Sequence, residues 1–174
     1  MTDKVLAAWL ERQREDGVAL AAASDLLDLA PLEVGPCQRY LAGFRCTGLV
    51  RGDSGEVAPA DRFLLGIWFP DQYLREADPF RVLAWIEPRG AFHPNVRAPF
   101  ICIGHLAPGT PLVDLLYRCF EIITWNRVTM REDDALDRDA CGWARRNQQR
   151  FPVDRRPLKR RRVDLGVETL EVAR

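Results

Sequence analysis

Apolar side chains recur at three- and four-residue spacing near the start of the chain, at Val5, Leu6, Trp9 and Leu10 and again at Val18, Leu20 and Ala21, with charge between them. This matches the helical repeat and predicts an amphipathic helix over roughly the first 25 residues, fraying at Gly17. From Leu26 to Glu87 the pattern shortens into β-prone runs at Tyr40–Val50, Arg62–Phe69 and Arg81–Ile86, with a weaker candidate around Leu27–Val34. Turn-rich stretches such as Arg51-Gly52-Asp53-Ser54-Gly55 separate them, and short connections make a four-stranded antiparallel meander the economical arrangement.

Farther on, Thr110-Pro111 has the form of a hydroxyl cap followed by a first-turn proline. Leu112, Leu115, Leu116, Cys119, Phe120 and Ile123 then define one broad helical face, which places Cys119 in the core. A polar loop, Asn126 to Asp137, leads to a second helix with Ala140, Trp143, Ala144, Asn147 and Phe151 on one side, Cys141 off that side, and Pro152 as the stop. The order predicts an α+β fold with an N-terminal helix, a meander and helices packed on one sheet face. Residues 1–152 form the expected domain, and 153–174 a basic extension with the run Arg155–Arg162 followed by alternating Val163, Leu165 and Val167.

Composition narrows the classes. The 174 residues suit one core, and the balanced formal charge lacks the basicity of a nucleic-acid binder. The arginine run is expected to be a solvated terminus or a contact for an acidic partner protein, with nucleic acid unlikely on composition. No leader pattern or long apolar run points to secretion or membrane insertion, so a cytoplasmic protein is expected. The odd set Cys37, Cys46, Cys102, Cys119 and Cys141 favours reduced thiols, without zinc-site spacing, and no cofactor is implied. Only two lysines, Lys4 and Lys159, accompany 23 arginines. Coding bias accounts for this; so does an enzyme carrying an acyl group on a thiol, because amines attack thioesters.

Candidate chemistry centres on His93-Pro94-Asn95 and on Cys102, seven residues after the asparagine. Pro99, Gly104 and Pro108-Gly109 around the cysteine argue for accessible, irregular chain, whereas Ile101 and Ile103 beside it suit a buried thiol equally well. An amide such as Asn95 can donate to an oxygen that turns negative when a thioester is attacked, and Pro-Asn is also an ordinary turn.

From Phe69 to Phe151 the chain resembles the catalytic domain of ubiquitin-conjugating (E2) enzymes. The ordered matches are Phe69-Pro70-Asp71-Gln72-Tyr73, Pro79, His93-Pro94-Asn95, Ile101-Cys102, and then Ala140, Asn147 and Phe151. The resemblance implies a ubiquitin-conjugating-enzyme-like fold, a thioester of a ubiquitin-like protein on Cys102 received from an activating enzyme, and transfer to a lysine of a target, with or without a ligase. It further implies Asn95 as support for the active-site loop and the oxyanion, His93 as scaffold of that loop, and Asp134, in Asp133-Asp134-Ala135-Leu136, as the group orienting the incoming lysine. Helix capping is an equal reading of Asp133, Asp134 and Asp137, and Tyr73 also reads as a packed aromatic.

The chain departs from the family after Cys102, where the Trp-Ser-Pro element is missing and His105 stands near a usual polar or acidic position. This weakens carry-over of ligase docking to Pro79-Phe80 and Ala107-Pro108. Such drift fits a divergent bacterial member serving antiviral defence. Two other functions compete: a non-catalytic binding module of the same fold, and a cysteine hydrolase with His93 or His105 as base.

Overall fold

The computed structural model describes residues 3–160. Helix α1 (Lys4–Ala22) opens at Asp3, whose carboxylate accepts from the Val5 N–H at 3.0 Å. Its inward stripe is Leu6, Leu10, Gln13, Gly17 and Leu20, while Val5 and Val18, expected on the apolar face, lie exposed. The helix runs unbroken through Gly17, and a Cβ there would stand 2.7 Å from Leu112 and 2.8 Å from Leu29. The glycine thus marks a close crossing where a fray was expected.

Four antiparallel strands follow, β1 (Leu27–Pro31), β2 (Arg39–Phe44), β5 (Phe63–Trp68) and β6 (Leu83–Glu87), in the spatial order β1-β2-β5-β6. The run expected as one strand from Tyr40 to Val50 divides after Phe44. Its second part becomes β3 (Gly48–Arg51), which pairs with β4 (Val57–Ala60) in a separate hairpin. Alternation works as expected within the sheet: Tyr40, Ala42 and Phe44, then Phe63, Leu65 and Ile67, then Leu83 and Trp85 face inward. The run expected as a strand from Arg81 opens instead in a short helix, α2 (Pro79–Val82), before β6. The inward side chains meet α1 and helix α3 (Leu112–Ile123) in one apolar core, Cys119 included. The fold is therefore α+β, with an N-terminal helix and an antiparallel sheet.

Two helix boundaries differ from the sequence reading. Thr110 does not cap α3; its hydroxyl donates to Ala107 O, and the Leu112 N–H donates to Gln13 of α1 at 2.9 Å. A buried polar side chain on a neighbouring helix has taken over the cap. Helix α4 (Arg138–Arg146) ends before Pro152, with Asn147 at its end donating to Trp143 O. Cys141, expected off the apolar side of this helix, is fully buried.

The expected extension begins at Val153, and its described part lies against the domain. Asp154 accepts from Thr47 N at 3.0 Å and is forked by Arg156, which holds its carboxyl down at about 2. Leu158 is 1% exposed and joins the main core, and Arg160 N donates to Ala23 O at 2.8 Å. Arg161, Arg162 and the alternating run Val163, Leu165 and Val167 lie outside the described residues.

Candidate active site

Between β6 and α3 the chain makes a two-residue pairing of β7 (Val96–Arg97) with β8 (Phe100–Ile101), and Cys102 follows directly. The preceding His93-Pro94-Asn95 is a tight turn in which Val96 N donates back to His93 O at 2.9 Å. Each of its three residues ties the turn to something different. His93 Nδ1 accepts from Asn95 N at 3.0 Å and so fixes the turn internally. Pro94 O accepts from Leu136 N at 2.8 Å and Asp137 N at 3.2 Å, attaching the acidic segment.

Asn95 makes the third tie, to the cysteine. Its backbone carbonyl accepts from Cys102 N at 2.8 Å, and its Nδ2 donates to Cys102 O at 3.1 Å. The other Nδ2 hydrogen goes to Thr129 Oγ1 at 2.9 Å, and Oδ1 accepts from Thr129 N at 2.9 Å. The Asn95 side chain, 5% exposed, is thus fully engaged. As it stands it is a clamp on the Cys102 backbone, and it can donate to an oxyanion only by releasing Thr129 or Cys102. Thr129 is positioned in turn by Cys141, whose thiol donates to Thr129 O at 3.6 Å.

A small aromatic cluster backs the turn. His93 meets the edge of Trp125 at 4.6 Å between ring centres, and Trp125 packs on Trp143 and Phe151. Trp125 sits at φ 58°, in the left-handed region that bulky residues avoid; the surrounding rings hold it there. Burial lowers the His93 pKa to about 3. His93 is therefore a neutral structural imidazole. His105 is exposed, and among the described residues no hydrogen bond joins either histidine to the Cys102 sulfur.

The five cysteines divide sharply: Cys37, Cys46, Cys119 and Cys141 are buried, and Cys102 alone is partly exposed. Burial pushes the Cys46 and Cys119 thiols up to about 12, which makes them inert. Asp134 closes a short 3-10 turn, Glu132–Asp134, and pairs with Arg131 at 3.4 Å on the surface. It is brought into the segment bound to Pro94 but has no bond to Cys102. Of the three aspartates read as possible caps, Asp137 alone caps α4, accepting from Ala140 N at 2.9 Å. Tyr73 is buried and donates to Thr110 O at 2.8 Å, a packed aromatic with a satisfied hydroxyl.

Sequence reading missed Thr129, because a threonine in a polar loop carries no periodic or motif signal. It also missed the arginines Arg51, Arg89, Arg97 and Arg138, which share a cleft with Phe100 and Leu136 beside the turn. Among the described residues, no cluster of three or more potential ligands is placed to hold a metal, and no helix is long and apolar enough to cross a membrane. Compared with known proteins, the chain matches no family model and no curated protein.

Proposed function

We propose that this chain is a divergent conjugating enzyme of the ubiquitin-conjugating type, with a fold of that family, acting in the cytoplasm in a bacterial antiviral defence setting. Cys102 accepts the carboxyl terminus of a ubiquitin-like protein by exchange with the thioester of an activating enzyme. A lysine amine of the target then attacks the thioester carbonyl; the amide forms, the Cys102 thiolate leaves, and the amine gives up a proton. The observation that carries this reading is the joining of the one accessible thiol to Asn95 through reciprocal backbone and side-chain hydrogen bonds.

Each residue of the candidate site has a part in this reading. Cys102 carries the acyl group. Asn95 sets the height of the cysteine loop and, on releasing the Thr129 hydroxyl, offers one N–H to the developing oxyanion. His93 fixes the turn as a scaffold. Asp134, exposed on the segment tied to Pro94, orients and helps deprotonate the incoming amine. The hydrolase alternative lacks a base, since His93 is buried with its Nδ1 taken by Asn95 N, and neither histidine makes a hydrogen bond to the sulfur. The binding-module alternative leaves the selective exposure of Cys102 without a use.

The test is incubation with ATP, the activating enzyme and its ubiquitin-like protein, followed by gels with and without reductant. A reductant-labile adduct absent from Cys102→Ala is expected. An adduct that survives this substitution overturns the assignment.

A further inference from the structure

The cleft beside the turn has a volume of about 1040 Å³ and is lined by charges of both signs. Four arginines face two carboxylates, Asp137 and Asp139, in a chain whose formal charge is zero. Arg51 is already neutralised: it pairs with Asp139 at 3.3 Å and Asp137 at 3.9 Å and lies over the Phe92 ring. Arg89, Arg97 and Arg138 are exposed and enter no ion pair among the described residues. They come from three different elements, the loop after β6, strand β7 and the first turn of α4, so no helical or strand periodicity explains their convergence.

The neighbours of the cleft are those of the candidate site. Val96, on its wall, follows Asn95; Phe100 precedes Cys102 by two residues; and Ala135 follows Asp134. Phe100, 46% exposed, forms an aromatic step with Phe80, 44% exposed, at 5.7 Å. A ligand here meets three unpaired guanidinium groups, an apolar wall and the exposed carboxylate of Asp139. A polyphosphate backbone would satisfy the arginines but be repelled by Asp137 and Asp139. A peptide with spaced carboxylates flanking a lysine can set its acids on the three arginines, away from Asp137 and Asp139, and leave its ammonium for Asp134, next to the cleft-lining Ala135.

We propose that this cleft is the acceptor groove, binding an acidic segment that flanks the lysine to be modified. The word acceptor rests on the reading of Cys102 as acyl carrier; binding of the acidic segment does not. The probe is a fluorescein-labelled peptide of Asp and Glu around one lysine, with an Asn and Gln counterpart, titrated with the full chain and followed by anisotropy. Binding that weakens with salt is expected for the acidic peptide, and about tenfold or more should be lost in the triple variant Arg89→Ala, Arg97→Ala, Arg138→Ala. Removing the same charge elsewhere, at Arg12, Arg62 and Arg75, should change affinity by less than about twofold.

Cys102→Ala should bind as the parent does, so a failed thioester assay and a failed groove give different results. Equal binding of the neutral peptide, or equal loss in both triple variants with thermal unfolding unchanged, overturns the proposal. So does tighter binding of a single-stranded oligonucleotide that displaces the peptide, which would make the cleft a nucleic-acid site.

Discussion

Two interiors lie a short distance apart in this molecule and are built differently. Beneath the four-stranded sheet, side chains from α1, β2, β5, β6 and α3 make a large apolar core in which periodic positions meet periodic positions. Behind the His93–Asn95 turn, Leu49, Phe92, Trp125, Ala140 and Ala144 make a small cluster drawn from a hairpin, loops and a helix. The main core is held by apolar area, roughly 25 cal/mol for each Å² removed from water. The smaller one is pinned by directional bonds through Asn95, Pro94 and Thr129, with Trp125 held in an unfavourable backbone conformation. Apolar area fixes which elements touch; hydrogen bonds fix where an individual atom stands. A reacting sulfur needs the second kind of control.

This contrast is most open to attack in the main core. Leu116→Ala, at a fully buried α3 position, should lower the unfolding free energy by about 2–5 kcal/mol through lost transfer energy and the cavity left behind. Chemical denaturation would measure this, while the rate at which a small thiol reagent modifies Cys102 in the folded protein should stay within about twofold of the parent. A large change in that rate would show that the two interiors are coupled.

Asn95→Ala should invert the outcome. Stability should fall by about 1–3 kcal/mol, because Cys102 O and the Thr129 groups lose their buried partner. Transfer from Cys102 should fall more steeply, by about a hundredfold, since both loop height and oxyanion donor are removed. Thermal melts together with the decay of the charged thioester separate the two effects. If stability and transfer fell in strict proportion, the clamp would be no more than core.

A further effect is a pH dependence set by the aromatic cluster and spread over several pH units. Folded His93 refuses a proton until about pH 3, whereas the unfolded imidazole takes one near 6.5. Its contribution to stability is therefore complete above pH 6.5 and lost as pH falls from there toward 3, at up to about 1.4 kcal/mol per pH unit. Unfolding curves across that window should be steeper for the parent than for His93→Asn. Asp154, held down at about 2 by Arg156, acts in a lower window, below its ordinary 3.8.

Strand alternation in β2, β5 and β6 and the repeat of α3 were legible in the sequence because each is a local period, readable without a partner. The exceptions were residues whose neighbours decide their role. Gly17 reads as a fray until Leu112 and Leu29 are seen against it; Thr110 reads as a cap until Gln13 takes the Leu112 N–H. Cys141, off the expected face, is buried because Thr129 O and the loop lie over it. The candidate site divides in the same way. His93, Asn95 and Cys102 stood out by type and spacing, and Thr129 did not, because its partner is 34 residues away.

By itself, the sequence determined the periodic elements, the α+β class they imply, and a thiol and an amide seven residues apart. The tertiary structure decided that this thiol, of five, is the accessible one, that the amide is clamped between Cys102 and Thr129, and that Arg89, Arg97 and Arg138 line one cleft. The reason is physical. Periodicity follows from backbone geometry within a few residues, whereas exposure and convergence depend on which distant segments exclude water from the same place.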